Sequence, residues 1–201
     1  ISVGDVHLAP FTNFPDISLK IDDVHIYESK EPAAVAIVDV ADIYLGFGFF
    51  DVLSGHYDIH SLLVEDGFID LVMHPDGSTN VAHALAMAGN SEEEEAIDVH
   101  LRKLEFKNVD IHQREEATNL DIETFIYWAK GGFNTKGNQI AAHIDSQFEL
   151  NVMDNGDTTY LKHRHFEFHT DLVFDESNGM LNFKPSGIVM EHGNFEVAGS
   201  I

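Results

Sequence analysis

Residues Ile59–Asn80 read IHSLLVEDGFIDLVMHPDGSTN. Leu62 and Val64 fall on one face of an extended chain, and after Glu65-Asp66-Gly67 the apolar Ile69, Leu71 and Met73 resume an every-second-residue pattern. Two strand segments joined at a kink are expected. Gly67 suits a bulge there, because glycine tolerates the backbone angles a bulge needs. Pro75-Asp76-Gly77 is turn chemistry. Ser78, Thr79 or Asn80 can then cap a helix over NVAHALAMAG, Asn80–Gly89. Its Val81, Ala84, Leu85 and Ala88 recur at helical spacing, and Gly89 stands where a C-terminal cap belongs.

The flanking sequence varies the same unit. Upstream, Ile17, Leu19 and Ile21 alternate, Asp22-Asp23 break the phase, and Val24 and Ile26 resume it. Residues 34–49 predict a further strand, and Phe50–Gly55 a short helical turn. Downstream, Asn90–Ala96 holds four consecutive glutamates and reads as a solvated loop, a sub-boundary at 90–96 within a single fragment 1–201. Beyond it, Val99, Leu101, Leu104, Phe106, Val109 and Ile111 form one apolar face. Strands are expected over Ile122–Ala129 and Ile140–Met153, and a hairpin turn at Asp154-Asn155-Gly156-Asp157. From Arg164 to Phe174, Phe166, Phe168, Leu172 and Phe174 face one way and His165, Glu167, His169 and Asp171 the other. Ser177-Asn178-Gly179 turns again, and short strands over 180–183, 187–191 and 194–199 complete the pattern. The set Leu62, Val64, Gly67, Ile69 returns 42 residues later as Leu104, Phe106, Val109, Ile111. An earlier copy is Leu19, Ile21, Val24, Ile26, and a later one Ile188, Met190, Gly193, Phe195.

The fold expected is mainly β: a long curved antiparallel sheet, a half-barrel or groove, of repeated strand units with one short α-helix. A net charge of −24 with only 11 Lys and Arg argues against nucleic acid and against anionic head groups, but not against lipid tails. With no cysteine, disulfides and thiolate chemistry are excluded. No apolar run reaches the ~18–20 residues of a membrane-spanning helix. Ile1-Ser2-Val3-Gly4 and Gly199-Ser200-Ile201 read as mid-strand, so a piece of a longer protein is expected.

Leu104, Phe106, Val109, Ile111, Phe166, Phe168, Leu172 and Phe174 have two readings. In a closed sandwich they are core. In an open sheet they line an apolar trough, and flexible acyl chains fit it. The histidines offer a third chemistry. His163, His165 and His169 fall with Glu167 on one strand face and are candidate metal ligands, with His100 or His112 from a neighbouring strand; a solvated polar face is the alternative. Asp22-Asp23, Glu65-Asp66 and Glu115-Glu116 are adjacent as composition alone dictates. Gly46-Phe47-Gly48 and Gly131-Gly132 do not form a phosphate loop, and no nucleophile signature occurs. Neither catalytic residues nor a cofactor are expected.

Two stretches carry a resemblance. FPDISLKIDDVHIY (Phe14–Tyr27) and FFDVLSGHYDIHSLLVEDGFIDLVMHPDGSTN (Phe49–Asn80) resemble the AsmA-like family of Gram-negative envelope proteins. TTYLKHRHFEFHTDLVFDESNGMLNF (Thr158–Phe183) and FEVAGSI (Phe195–Ile201) are similar to the downstream part of such proteins from Bacteroidetes. The resemblance implies a periplasmic β-sheet body that curls into an apolar groove, tethered to the inner membrane by an amino-terminal helix outside this sequence. It implies a non-enzymatic part in outer-membrane biogenesis or phospholipid transport. Its expected partners are a phospholipid or other acyl lipid, the membrane through that anchor, and envelope proteins. A structural or interaction module of the envelope with a closed core is the other expectation.

Overall fold

Alternating strands joined by tight turns pair with their sequence neighbours, and ten of them form one sheet in strict chain order. The computed structural model describes residues 1–9, 16–29, 35–55, 58–88 and 99–200. The strands are β1 (Val6–Ala9), β2 (Asp16–Tyr27), β3 (Ala36–Gly48), β4 (Ile59–Met73) and β5 (Val99–Glu115). They continue as β6 (Leu120–Lys136), β7 (Gln139–Asn155), β8 (Thr158–Asp175), β9 (Met180–Met190) and β10 (Gly193–Ser200). The sheet is open, with β1 and β10 as its edges. The expected hairpin turns form, with Gly156 and Gly179 at φ 60° and 70° where a side chain would be strained.

Two short helices accompany the sheet, α1 (Phe49–Ser54) and α2 (Asn80–Ala88). The first is the turn expected near Phe50–Gly55, ending on Gly55 at φ 84°. In the second, Thr79 is the capping side chain, its Oγ1 accepting from Ala82 N at 3.1 Å. The side chains of Leu85 and Ala88, the cap at Gly89 and the boundary at 90–96 lie outside the described residues.

All strand pairs are antiparallel except β4 with β5, which are parallel. A parallel pair needs a crossover, and α2 belongs to it. The 42-residue repeat is the register of this pair: Leu62 lies beside Leu104, Val64 beside Phe106, Gly67 beside Val109 and Ile69 beside Ile111. Polar side chains keep the same offset. Lys107 Nζ donates to Glu65 Oε1 at 2.9 Å, and Asn108 Nδ2 to Asp66 Oδ1 at 2.9 Å.

The kinks are also in line. Asp23, Asp66 and Asn108 have φ of 50°, 55° and 52°, the left-handed region that Asp and Asn tolerate best among residues with a side chain. Across the shared β3 they stand at one level, since Val24 and Gly67 both pair with Val40. The register runs through this level without a shift, so the feature is an aligned row of left-handed residues and not the bulge expected at Gly67.

Four expectations are corrected. Asp66, not Gly67, takes the unusual angles. Gly67 is glycine because a Cβ there would sit 2.1 Å from Asp39 O of β3. The later copy of the repeat is not a kinked strand: Ile188 and Met190 of β9 pair with Phe195 and Gly193 of β10 across a hairpin. The strand expected over Ile122–Ala129 runs on through Gly131 and Gly132 to Lys136, held by β5 and β7 on its two sides. Pro185 does not break β9. The register slips on both sides, between His169 and Leu172 and between Val197 and Gly199, which spares the ladder a donor proline lacks.

The packed core lies at the β2–β5 end. Val24, Val40, Val64 and Val109 are buried there with Ala84 of α2, and Val81 packs against them. Past β5, no second layer covers the same face among the described residues.

Candidate functional site

Paired residues of neighbouring strands share a face, so the ladder shows where each candidate points. Phe106 leads through Ala129 and Ser146 to Phe168, and then to Ile188 and Phe195. Val109 leads through Ile126 and Phe148 to Phe166 and Met190. Leu104, Ile111, Leu172 and Phe174 lie on the same face, one or more two-residue steps along β5 and β8. All eight trough candidates therefore belong to one largely apolar face spanning β5 to β8, interrupted by Ser146 and Thr170.

Their burial grades across the sheet. Val109 is fully buried, Leu104, Phe106, Ile111, Phe166, Phe168 and Leu172 are half-buried, and Phe174 is 36% exposed. Phe195 on β10 reaches 53%. Val109 thus belongs to the packed core, while Phe174 and Phe195 lie exposed. Without a second layer the rings cover one another. Phe148 and Phe166 stack at 5.2 Å between centroids. Phe133 leans over Gly131, and Phe195 over Gly193, so closely that a Cβ on either glycine would approach the ring to 3.1 Å. At the α1 end of the sheet, Phe50 and Leu53 are 80% and 70% exposed. Nearby, Asp58, His60, Leu101, Arg102, Phe133, Asn134 and Thr135 line a cleft of about 760 Å³.

The opposite face is polar and internally paired. Lys20 Nζ lies 2.8 Å from both Asp22 and Asp42; the two carboxylates hold the ammonium above the usual lysine range, and the Lys20 ammonium holds Asp22 below the usual carboxylate range. Tyr127 donates to Glu149 Oε2 at 3.0 Å, and this bond raises the phenol's pKa. Trp128 Nε1 donates to Gln147 Oε1 at 3.0 Å.

The histidines expected to act together are dispersed. His163 meets Glu149 at 3.4 Å, His165 meets Gln147 at 3.1 Å, and His169 meets Asp145 at 2.5 Å. His112 cannot join them, because β6 and β7 separate β5 from β8; it bridges Asp70 and Asp121 at 3.1 and 2.7 Å instead. The side chain of His100 lies outside the described residues. The cluster that does assemble is His143, Asp145 and His169, with ligand-type atoms all within 4.8 Å of one another. Asp171 joins it, its Oδ1 2.9 Å from His143 Nδ1. That bond is the main cause raising His143, which in turn holds Asp171 low, while His169 holds Asp145 low. The sequence signal for this cluster was His143-x-Asp145, two residues apart on one strand face.

No family model and no curated protein matches the chain.

Proposed function

We propose that this chain is the periplasmic β-sheet body of a cell-envelope protein that holds or guides lipid along its apolar face. The observation that carries the reading is the aromatic face of β6–β10, which no layer among the described residues covers. Apolar surface of that extent is costly in water and marks a binding site. Acyl chains match its chemistry, being elongated, flexible and without hydrogen-bonding demand. The paired acidic face stays in water. The role is non-enzymatic, and the resemblance of Phe14–Tyr27 and Phe49–Asn80 to AsmA-like proteins supports a part in outer-membrane biogenesis or phospholipid transport, with tethering by an anchor outside this sequence. Native mass spectrometry of protein purified from cells without detergent, followed by lipid extraction, tests it. Co-purifying phospholipid near one or more per chain is expected. A lipid-free mass with no uptake from phosphatidylethanolamine vesicles would refute the reading.

A second reading rests on a different observation. Strand β10 is an edge, and Asn194–Ser200 is exposed, leaving backbone donors and acceptors for another strand. An envelope interaction module would use this edge to add a partner's strand, and lipid-free protein that captures such a partner would favour it.

A further inference from the structure

The polar face carries a feature that lipid binding does not use. On β7, His143 and Asp145 are two residues apart and point the same way; on β8, Asp171 and His169 stand directly opposite them. Asp145 lies at the centre. Its Oδ2 is 2.9 Å from His143 Nε2 and its Oδ1 is 2.5 Å from His169 Nδ1. The two imidazole rings meet edge to face at 5.0 Å.

We propose that His143, Asp145 and His169 form a divalent metal site, three ligands to an ion of the zinc type, with Asp171 orienting His143 from behind. Three arguments support it. First, the spacing fits. Metal–ligand bonds of about 2.0–2.2 Å set tetrahedral ligand atoms roughly 3.3 Å apart, and the present ligand atoms, all within 4.8 Å of one another, need to shift by about 1.5 Å or less. Second, the outer contact is the one such sites require. Asp171 accepts from His143 Nδ1–H, which fixes the tautomer and leaves Nε2 for the ion. Third, the approach is open. The strands outside the pair place Gly132 beside His143 and Gly187 beside His169. A Cβ at Gly187 would meet nothing within 4 Å. A fourth position can therefore hold water or an exogenous ligand. Two nitrogen donors and one carboxylate favour zinc and its transition-metal neighbours over calcium or magnesium, which want oxygen.

The test is calorimetric titration of zinc chloride into the chelator-stripped full chain. One tight zinc per chain is expected, and no response to magnesium. His143→Ala and His169→Ala should each abolish the one-to-one step, and Asp171→Asn should weaken it about 10- to 100-fold. The double variant His163→Ala/His165→Ala should leave it unchanged. Cobalt should give the intense visible bands of a tetrahedral ion in the wild type and lose them in His169→Ala. These side chains lie at the surface, so the variants should stay folded without metal, as circular dichroism checks; His169→Gln serves if His169→Ala does not. Absence of a one-to-one step in folded wild type would overturn the site. So would a step that survives His169→Ala or vanishes in the His163/His165 variant.

Discussion

Asn80 offers the sharpest test of how the parallel pair is built. Strand β4 outlasts its neighbour β3, whose last partner on that side is Ile69. Beyond it, the carbonyl of Asp70 and the amide of Val72 would face no strand. The Asn80 side chain takes the missing place: Nδ2 donates to Asp70 O at 2.7 Å, and Oδ1 accepts from Val72 N at 3.0 Å. The same Oδ1 accepts from Val81 N at 2.8 Å, tying the start of α2 to the strand. Asn80 is only 1% exposed. In Asn80→Ala, Asp70 O and Val72 N lose their partner beneath α2, at about 1–3 kcal/mol each, while alanine's better helix propensity returns under ~1 kcal/mol. The net loss should be about 2–4 kcal/mol, or roughly 4–16 °C in Tm for a chain of this size. Asn80→Asp keeps the acceptor but turns a carboxylate toward the Asp70 carbonyl, so it should be at least as damaging at neutral pH and partly recover in acid, where the protonated group donates. Urea unfolding followed by the fluorescence of Trp128, the single tryptophan, and by circular dichroism measures both. A loss under about 0.5 kcal/mol for Asn80→Ala, the range of an ordinary surface change, would refute the strand-mimic argument.

The apolar face should divide by position. Val109→Ala, at a fully buried site, should destabilise without altering lipid content, whereas Phe168→Ala should cost less than the ~3–5 kcal/mol of a core phenylalanine and reduce extracted lipid; equal lipid content in both would count against the groove. Gly67→Ala drives a Cβ to 2.1 Å from Asp39 O and should cost about 1–3 kcal/mol or more, while Gly187→Ala, with open space, should stay within about 0.5 kcal/mol in chemical denaturation. The His143 cluster predicts a window in pH. Lowered carboxyls such as Asp145 and Asp171 add stability above the ordinary value and lose it as pH falls through their folded values; raised His143 adds stability below its ordinary value and loses it as pH rises through its folded one. His143 faces Asp145 on its own strand, Asp171 and His169 from β8, and only Gly132 from β6. The Tm difference between wild type and Asp171→Asn, in chelator, should therefore peak between about pH 4 and 6.5; a flat difference would contradict it.

Much of the fold was legible because a strand writes its faces into sequence at period two. The kinks were legible too, since Asp22-Asp23 and Glu65-Asp66-Gly67 interrupt that period where the left-handed residues stand. Pattern alone could not separate a kinked strand from a hairpin. Ile188, Met190, Gly193 and Phe195 keep the apolar spacing of the repeat either way, because hairpin partners, like successive even positions, share a face. The parallel pairing was hidden for a similar reason: a constant offset between copies fits any separation in the sheet until the crossover makes the copies neighbours.

The histidine cluster shows where such reading stops. The tight turn at Gly156-Asp157 was visible, and counting outward from it gives a register for β7 and β8. That count sets His169 beside Ile144, a residue of the apolar face. A bulge between Met153 and Asp154 moves the register by one, and His169 meets Asp145 instead. One extra residue exchanges the faces of everything beyond it. Turn chemistry marks where a hairpin folds, but a bulge within the strand has no comparable signature when the residues around it are ordinary strand formers. The along-strand set His163, His165, His169 was the only histidine arrangement that needs no register. The cross-strand set depends on a single backbone irregularity ten residues away. The zinc titration therefore also probes the register: binding that requires both His143 and His169 demands the bulged pairing, since the unbulged one would leave the two imidazoles on opposite faces of the sheet.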